Sequence, residues 1–586
     1  MKYRPFFLSA LALTLTACSG GAPEPTPVLQ TAQGPVQGVV SADNSTIHVY
    51  KGIPFAAAPV GDLRWAPPAP APDWSDTRIA DAFGTRCMQP SDVEGGFFER
   101  LIDGHGLSAI KSFAIKRVVA AMDPPPVSED CLFLNVRTPA DADGAPVMVW
   151  IHGGGHQFGS SDFDYYQADG LPERGVVLVT INYRLGAFGY MAHPALSAAD
   201  PRGVSGNYGT LDQVAALEWV RDNIAAYGGD PDRVTIFGES AGAWSVTELM
   251  STPLSEGLFH GAILQSGAST YHMGQLEGDG VGWPSGHATG RRVADALGLE
   301  DPTAEDLRAV PATEIIAVVT EEMSEGFHHV RDGVVFPENV GIAFDVGAVH
   351  AVPVLAGYNA DEGTLFFPDD PQPTVWLQDL EPGTAAELTT RLSDPFPTQA
   401  ARLVELYGLD ENFTEGGTQM MGDEIFGVNI RFAARRAAAA GAPAWTYFFS
   451  RVPPSDKQTV GAFHAAEIPF VFDSHEPVLG LSEDDAELTR IIADYWANFA
   501  ATGNPNGAGL PEWPAYSTDQ WMHFSANTGR PVAQVEANVR GEKLDALDEG
   551  LRLKLDELAA SKASAQTETA AGDQPPREGI AGVGGG

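Results

Sequence analysis

A serine lies between two glycines at the end of an apolar run, and this arrangement could hold a nucleophile. The stretch RVTIFGESAGAWSV, residues 233–246, reads as a buried β-strand, a tight turn at Ser240 and the start of a helix. Such a corner presents the serine hydroxyl where it can attack a carbonyl carbon. Gly238 and Gly242 fit this interpretation, because a Cβ at either position would clash where strand and helix cross. A tight corner in which the serine is incidental is the alternative.

A second glycine cluster could stabilise the negative charge that such an attack creates. The letters HGGG, residues 152–155, follow the apolar run PVMVWI. Backbone N–H groups fixed in advance around a developing oxyanion lower the barrier of such reactions by several kcal/mol. We predict that the amides of Gly154, Gly155 and Ala241 form this oxyanion hole, with the N-terminus of the following helix directed toward it. A flexible turn is the alternative for the glycines.

The elements that must position these residues are apolar strands separated by helices. Besides the two runs above, apolar runs occur over residues 175–184, 261–268 and 352–359, and residues 211–224 place apolar side chains at helical spacing. Near-continuous apolar strands are typical of parallel strands covered on both faces. The sequence therefore predicts an α/β fold with a large, mainly parallel central sheet and helices on both of its faces.

The composition is that of a large globular protein with an acidic surface. Of 586 residues, 44% are hydrophobic, enough for a sizeable core, and the formal net charge at pH 7 is -42. This charge would repel phosphates, so we predict no nucleic-acid partner. We interpret the acidity as a solvated surface.

The first residues have the pattern of an export signal. A short basic stretch precedes an apolar segment over residues 6–15, too short to span a membrane, and the letters LTAC follow. This pattern resembles a bacterial lipobox and predicts a lipoprotein signal peptide over residues 1–17, with lipidation of Cys18. Residues 18–27 are then a flexible tether. We expect an exported protein held in a bacterial membrane by its lipid, the outer membrane in a Gram-negative cell because Ser19 follows the cysteine. An ordinary signal peptide with a chance cysteine, which would leave the protein periplasmic or extracellular, is the alternative.

Export would place the two remaining cysteines in an oxidising compartment. An even pair there usually forms a disulfide, so we predict a Cys87–Cys131 bond, with two unrelated buried thiols as the alternative. The folded body is expected to extend over residues 28–560. Residues 561–586 are rich in alanine, serine, threonine, glutamine and glycine and are expected to be disordered.

Several ordered motifs make the chain similar to a known family. They are the segments YKGIPFAAAPVGDLRWAPPAP, SEDCLFLNV, VMVWIHGGG, NYGTLDQVAALEWVRDNIAAYGGDPDRVTIFGESAGAWSV and ILQSGA. The chain resembles type-B carboxylesterases, the family of cholinesterases, carboxylesterases and bacterial para-nitrobenzyl esterases, over nearly all of residues 28–524. The resemblance implies an α/β-hydrolase fold and hydrolysis of a small-molecule carboxylic ester through a serine acyl-enzyme. It also supports the disulfide, because EDCL carries the second cysteine of a family loop.

The resemblance further implies the partners of Ser240. The segment GAFHAAEIPFVF is similar to the family's histidine loop and selects His464 as the general base. The segment GYNADEGTLF is similar to the acid loop and selects Glu362, with Asp361 as a local rival. In this scheme His464 takes the serine proton and returns it to the leaving alcohol, while Glu362 orients the imidazole and stabilises its charge.

Other polar residues give weaker signals. Glu239 and Ser266 resemble family positions that pack near the catalytic residues, and either could be mainly structural. His328, His329 and His475 have no comparable context. No zinc-binding or phosphate-binding motif occurs, so we predict no metal and no cofactor. The alternatives to a general esterase are an amidase, a specialised detoxifying esterase, or a non-catalytic adhesion protein of the kind that has lost catalytic residues in this family.

The segment between the two cysteines departs from the family pattern by its length. It contains GLSAIKSFAIKRVVAAMDPPP, in which Lys111, Lys116 and Arg117 form a basic cluster. A helix here would carry a broad apolar face, widened by Phe113 and Ile115. The residues of that face are Leu107, Ile110, Ala114, Val118 and Met122. We hypothesise an amphipathic cap beside the active site that selects substrates or contacts lipid; a helix that merely packs on the body is the alternative.

Overall fold

The computed structural model describes most of the chain. The described residues are 23–90, 93–119, 124–271, 273–278, 284–322, 326–366, 380–475 and 481–572. The predicted signal peptide over residues 1–17 and the predicted lipidation site Cys18 lie outside them, as do residues 573–586. Within the described ranges, no helix combines the length and the apolar character needed to cross a membrane.

A sheet of eleven strands forms the centre of the protein. In chain order its strands are β1 (Val39–Val40), β2 (Ile47–Pro54), β3 (Phe133–Pro139), β4 (Ala145–Ile151), β5 (Val177–Ile181), β6 (Gly229–Glu239), β7 (Gly261–Gln265), β8 (Val354–Asn359), β9 (Ala444–Phe449), β10 (Gln520–Phe524) and β11 (Ala533–Ala537). Their order across the sheet is β11-β10-β9-β8-β7-β6-β4-β5-β3-β2-β1. Strands β4 to β10 run parallel, while the strands at both edges pair antiparallel. The predicted α/β fold with a mainly parallel sheet is confirmed.

The inner strands are buried on both faces, which explains their near-continuous apolar sequence. In β4, Val147, Val149 and Ile151 belong to one apolar cluster, whereas Met148 and Trp150 belong to another. Successive side chains of a strand point to opposite faces, so the sheet separates two cores. All five side chains are fully buried, so neither core is exposed to solvent at this strand.

Helices cover both cores. Tyr208–Asn223 and Ala241–Ser251 contribute to the first core, and Glu483–Thr502 contributes to the second. The other α-helices are Val93–Gly104, Ala109–Val119, Gly170–Glu173, Gly186–Tyr190, Pro194–Ala199, Gly286–Ala296, Ala304–Ala309, Ala312–Glu322, Val340–Asp345, Ala385–Leu392, Ala400–Tyr407, Phe413–Gly422, Val428–Ala439, Ile468–Phe472 and Gly541–Gly572. A π-helix spans Asp423–Gly427, and the 3-10 helices are Gly61–Leu63, Asp164–Tyr166, Ile224–Tyr227, Pro253–Ser255 and Glu362–Leu365.

Small sheets and the chain ends complete the body. Short strands pair in three small sheets: Leu29–Gln30 with Pro35–Gln37 and Arg78–Ile79, Arg86–Cys87 with Val127–Ser128, and Gly274–Gln275 with Val330–Arg331. The ordered body begins inside the predicted tether, because the Val40 N–H donates to the Glu24 carbonyl at 2.8 Å and the buried Thr26 bonds to Gly38. At the other end, residues 561–572 continue the last helix instead of being disordered as predicted. Alanine is the strongest helix former, and this part of the tail is rich in it.

Candidate active site

Ser240 lies in a sharp turn between β6 and the helix Ala241–Ser251. Its φ of 56° and ψ of -124° fall where residues with a Cβ are rarely found, so surrounding contacts must hold it there. A Cβ on Gly242 would lie 2.0 Å from the Ile151 carbonyl oxygen, and one on Gly238 would lie 2.5 Å from the Gly242 backbone. Strand and helix therefore approach so closely that only glycine fits at both positions.

Backbone hydrogen bonds hold this strained turn in place. The Ser240 N–H donates to the carbonyl of Gln265 at 2.9 Å, and the Ser240 carbonyl accepts the N–H of Trp244 at 3.0 Å. Ser240 is partly exposed, whereas Glu239 and Ala241 on either side of it are buried. The turn thus leaves the serine accessible to solvent while the residues on either side of it are buried.

The glycine loop after β4 lies directly against this turn. A Cβ on Gly153 would come within 3.1 Å of the Ser240 Cβ. Gly154 and Gly155 have φ angles of +100° and +61°, and the space beside Gly155 is open. In the described part of the chain, no group accepts a hydrogen bond from the amides of Gly154, Gly155 or Ala241. These N–H groups are therefore free to bind an oxyanion next to the serine.

His464 and Glu362 meet although 102 residues separate them in sequence. Nδ1 of His464 donates to Oε2 of Glu362 at 2.7 Å, and both residues are buried. The other carboxylate oxygen accepts the N–H of Asn359 at 2.7 Å, which holds the glutamate at the end of β8. The imidazole also stacks on Phe426, with 4.6 Å between the ring centres. These contacts fix the ring and turn its Nε2 toward the Ser240 turn.

Glu239, the residue before the serine, occupies the position beside Nε2. Its Oε1 lies 3.1 Å from Nε2 of His464, and no hydrogen bond among the described residues joins the Ser240 hydroxyl to that nitrogen. Burial lowers the pKa of His464, but the charges of Glu239 and Glu362 outweigh burial and raise it to about 9. Burial raises the pKa of Glu239 to about 8. Two groups that can each hold a proton therefore lie next to the serine.

A further buried carboxylate, which sequence reasoning missed, supports the histidine loop. Glu467 accepts hydrogen bonds from the side-chain amides of Gln265 at 3.0 Å and Asn359 at 2.7 Å. The indole N–H of Trp496 donates to the Gln265 oxygen at 3.1 Å. Burial raises the pKa of Glu467, and its charge helps to raise that of His464. Its spacing three residues after the histidine gave no usable signal, because Ala465 between them has a φ of 72° and the helix begins only at Ile468.

The rival residues lie in other environments. The carboxylate of Asp361 accepts the N–H of Ala462 at 2.8 Å, so the glutamate beside it is the acid that contacts the imidazole. His329 and His475 bond to threonine hydroxyls at 3.0 and 2.7 Å, and His328 is half-buried.

Ser266 lies next to the Ser240 turn. Its φ is 50° and its N–H donates to the Gly357 carbonyl at 2.8 Å. A Cβ on the following Gly267 would lie 2.5 Å from the carbonyl oxygen of Ser240. The Ser266 hydroxyl is buried and has no hydrogen-bond partner within the described residues. The structure therefore places this serine beside the turn, and its role there stays a prediction.

One buried cluster has the residue types of a metal site. Potential ligand atoms of His156, Glu248 and His329 lie within 4.8 Å of one another. Nε2 of His156 bonds to the Ser245 hydroxyl at 2.9 Å and its ring also bonds to the Ala241 backbone, while Nε2 of His329 lies 2.9 Å from Glu248. Burial lowers the pKa of both histidines to about 3. A cation could enter only by displacing these hydrogen bonds, so we assign the cluster to support of the helix that follows Ser240.

The predicted disulfide is present, and the segment it closes is helical. Cys87 and Cys131 are bonded, with 4.9 Å between their Cα atoms. The predicted amphipathic helix occurs over Ala109–Val119, but its apolar face does not pack inward: Ile110, Phe113 and Ala114 are exposed. The Val118 side chain and Met122 lie outside the described residues. The sequence pattern predicts the helix correctly, but it does not show whether the apolar face points to the core or to solvent.

Comparison with known proteins identifies the family of the chain. The model of the carboxylesterase family matches residues 25–546. The chain is 34% identical to the fumonisin B1 esterase of Sphingopyxis macrogoltabida over 89% of this chain and 90% of that protein. It is also 34% identical to the para-nitrobenzyl esterase of Bacillus subtilis (strain 168), over 83% and 92%. A solved PNB esterase superposes with a TM-score of 0.71 at 30% identity, covering 89% of this chain and 99% of that one.

The fold and these matches define the class of protein: an α/β-hydrolase. The chain belongs to the carboxylesterase family, and it is a carboxylic ester hydrolase.

Proposed function

We propose that the enzyme cleaves its ester through an acyl-enzyme formed on Ser240. The hydroxyl oxygen attacks the ester carbonyl carbon while Nε2 of His464 takes the hydroxyl proton. The resulting oxyanion accepts hydrogen bonds from the amides of Gly154, Gly155 and Ala241. His464 then gives the proton to the leaving alcohol. Water, deprotonated by the same nitrogen, attacks the acyl group and restores the serine.

The observation that carries this proposal is the placement of His464. Its Nδ1 is held by Glu362 at 2.7 Å, which leaves Nε2 free to act and stabilises the imidazolium that forms. The same nitrogen faces the strained turn that presents Ser240, although Glu239 lies beside it. Catalytic hydrogen bonds are commonly long or absent before substrate binds and form in the complex. Glu239 and Ser266 act as positioning residues in this scheme.

Labelling with a fluorophosphonate tests the nucleophile. The reagent phosphonylates an activated serine, so wild-type protein should gain one probe per chain and lose activity in parallel. Ser240→Ala should remain unlabelled, while Ser266→Ala, a change at another serine beside the turn, should still be labelled. Labelling that persists in Ser240→Ala, or its absence from well-folded wild type, would contradict the proposal.

The natural substrate is proposed only by class. The names of the two relatives above describe esterases of fumonisin B1 and of a para-nitrobenzyl ester. We propose a small-molecule ester rather than an amide, since the names of both relatives describe esterases. Rates on p-nitrophenyl esters from acetate to palmitate, compared with the matching anilides, test this choice. Faster cleavage of the anilides would overturn it.

We also propose export and attachment to a bacterial membrane through a lipid on Cys18. The supporting features are the residues of the export signal and the Cys87–Cys131 disulfide, which suits an oxidising compartment. Cells fed an alkyne-tagged fatty acid should label wild-type protein and not Cys18→Ser. Equal labelling of both proteins would refute the lipid anchor.

A further inference from the structure

The helix Ala109–Val119 exposes apolar side chains that the body does not need. Ile110 is 84% exposed and Phe113 is 68% exposed, and Ala114 next to Phe113 is also exposed. Residues three and four apart share one side of a helix, so these three form one continuous strip. Exposed apolar side chains of this size cluster on a soluble surface mainly where something binds.

Two cations border this strip. Lys111 and Arg117 are exposed, and neither side chain has an ion-pair partner in the described part of the chain. Lys116 differs, because it pairs with Asp103 at 2.7 Å. The chain as a whole has a formal charge of -42, so unpaired cations beside apolar groups stand out from the rest of the surface. We call Ile110, Lys111, Phe113, Ala114 and Arg117 the docking patch.

The segment directly before the helix of the docking patch packs on the loop that leads to His464. The Gly104 carbonyl accepts the N–H of Thr459 at 2.8 Å, and a Cβ on Gly104 would lie 2.2 Å from the Val460 side chain. His105 packs edge-on against Phe463, with 5.7 Å between the ring centres. A surface held by the patch is therefore held close to the chain segment that carries the imidazole.

We infer that the docking patch binds the surface of an anionic lipid bilayer. An amphipathic helix of this kind inserts its apolar side chains at the boundary between headgroups and acyl chains, while its cations pair with lipid phosphates. A second copy of this acidic chain suits the patch less well, because two bodies of the same large negative charge repel each other. This contact is independent of a lipid on Cys18 and of the catalytic roles proposed above.

A fluorophore placed in the patch tests this inference directly. In the full chain, Cys18→Ser leaves no free thiol, because Cys87 and Cys131 are bonded to each other. Phe113→Cys in that background takes an environment-sensitive probe, and Val346→Cys, at a site that is 69% exposed in the native protein, takes the same probe as control. Vesicles of phosphatidylcholine with phosphatidylglycerol should shift emission of the probe at 113 to the blue and leave the probe at 346 unchanged. Absence of a shift at 113, or equal shifts at both sites, overturns the inference.

Charge reversal separates lipid binding from other causes. Each cation close to an anionic membrane strengthens binding about five-fold, so Lys111→Glu with Arg117→Glu should weaken vesicle binding by about thirty-fold or more. The matched control, Arg221→Glu with Arg490→Glu, makes the same change of net charge at two sites that are each half-exposed. Equal weakening by both pairs would reduce the effect to net charge and refute the patch.

A second copy of the chain is distinguished by sedimentation velocity. If Ile110→Asn abolishes a dimer while vesicles give no signal, the patch binds another copy and the lipid assignment is wrong. Hydrolysis of a soluble short-chain ester should be unchanged in Ile110→Asn, which shows that the variant is folded.

Discussion

Replacing Glu239 with glutamine should move the acid limb of the pH–rate profile to lower pH. The carboxylate lies 3.1 Å from Nε2 of His464 and is one of the charges that raise the pKa of that imidazole to about 9. The proposed base works only when it is neutral, so the rate rises with pH through the pKa of His464. Removing the charge lowers this pKa, and activity therefore extends toward acid.

The size of this displacement follows from the distance. At 3.1 Å and an effective dielectric constant of about 20, two unit charges attract by roughly 5 kcal/mol. The observed effect should be smaller, because Glu239 holds its own proton over part of the range, with a pKa of about 8. We expect the acid limb to move by about one to three pH units, the range typical of one close charge.

The assay is kcat/KM on a soluble p-nitrophenyl ester as a function of pH, which reports groups of the free enzyme. Glu248→Gln is the matched control, because Glu248 is also a buried glutamate but contacts His329 rather than His464. The position of the limb is the readout, since its height can change for other reasons. The reasoning fails if the limb stays in place in Glu239→Gln, or if it moves as far in Glu248→Gln.

Three further perturbations have defined outcomes. Gly242→Ala would place a Cβ 2.0 Å from the Ile151 carbonyl oxygen, so the turn must shift and kcat/KM should fall at least a hundred-fold with a lower Tm; wild-type kinetics would contradict the steric argument. Replacing Cys87 and Cys131 by serine should reduce the free energy of unfolding by about 4 kcal/mol for a loop of this length, measured in urea, and an unchanged midpoint would argue against it. Glu362→Gln should keep the fold by circular dichroism and lower kcat about 10³- to 10⁴-fold, since the imidazole loses the charge that orients it, whereas a loss below ten-fold would remove this residue from the proposed triad.

The central sheet could be predicted because its inner strands carry their own signal. Both faces of β4 to β8 are covered, so each of these strands contains a mainly apolar run, and these five runs are predicted from the sequence. The parallel strands β9 and β10 are not predicted. The edge strands lack that signal. β1 is two residues long, and β11 reads AQVEA, in which only one residue is strongly apolar. Such strands are specified by the neighbour they pair with, which a single sequence does not show.

The Ser240 turn could be predicted for a similar local reason. Its strand, two glycines and helix follow one another within a few residues, and the clash that demands glycine occurs inside the same motif and with β4. The histidine and the acid came only from resemblance, since 102 residues separate them. The network of Glu467, Gln265 and Asn359 was missed because each polar residue looks ordinary until the fold brings the three together.

The helix of the docking patch shows a different limit. Periodicity predicts that apolar residues share one side of a helix, and the usual inference is that this side packs inward. Here the helix before it is the one that packs on the body of the protein, since Leu101 and Ile102 are buried and Gly104 contacts the histidine loop. The helix Ala109–Val119 keeps its apolar strip exposed, and this follows from the packing of the helix Val93–Gly104, which the sequence alone does not show.

The three buried glutamates near His464 differ in how their charge is balanced. Glu362 accepts hydrogen bonds from the imidazole and from a backbone amide, and Glu467 accepts them from two side-chain amides. Oε1 of Glu239 has no hydrogen-bond partner among the described residues, although Nε2 is 3.1 Å away. A buried carboxylate without such partners favours its protonated form. Glu239 is therefore the acid of the three whose proton can most easily change.

This difference bears on how one imidazole can act as a base among three acids. An ionised Glu239 would hold His464 as imidazolium, which cannot accept the proton of Ser240. A neutral Glu239 leaves the imidazole free, and the imidazolium formed during attack is then balanced by Glu362 on one side and by the oxyanion on the other. Glu239→Gln keeps the shape of the neutral acid and cannot hold the imidazolium by charge, so its activity at neutral pH should equal or exceed that of the wild type. Glu239→Ala should be less active than Glu239→Gln, because it opens a cavity beside the serine without restoring a polar group there.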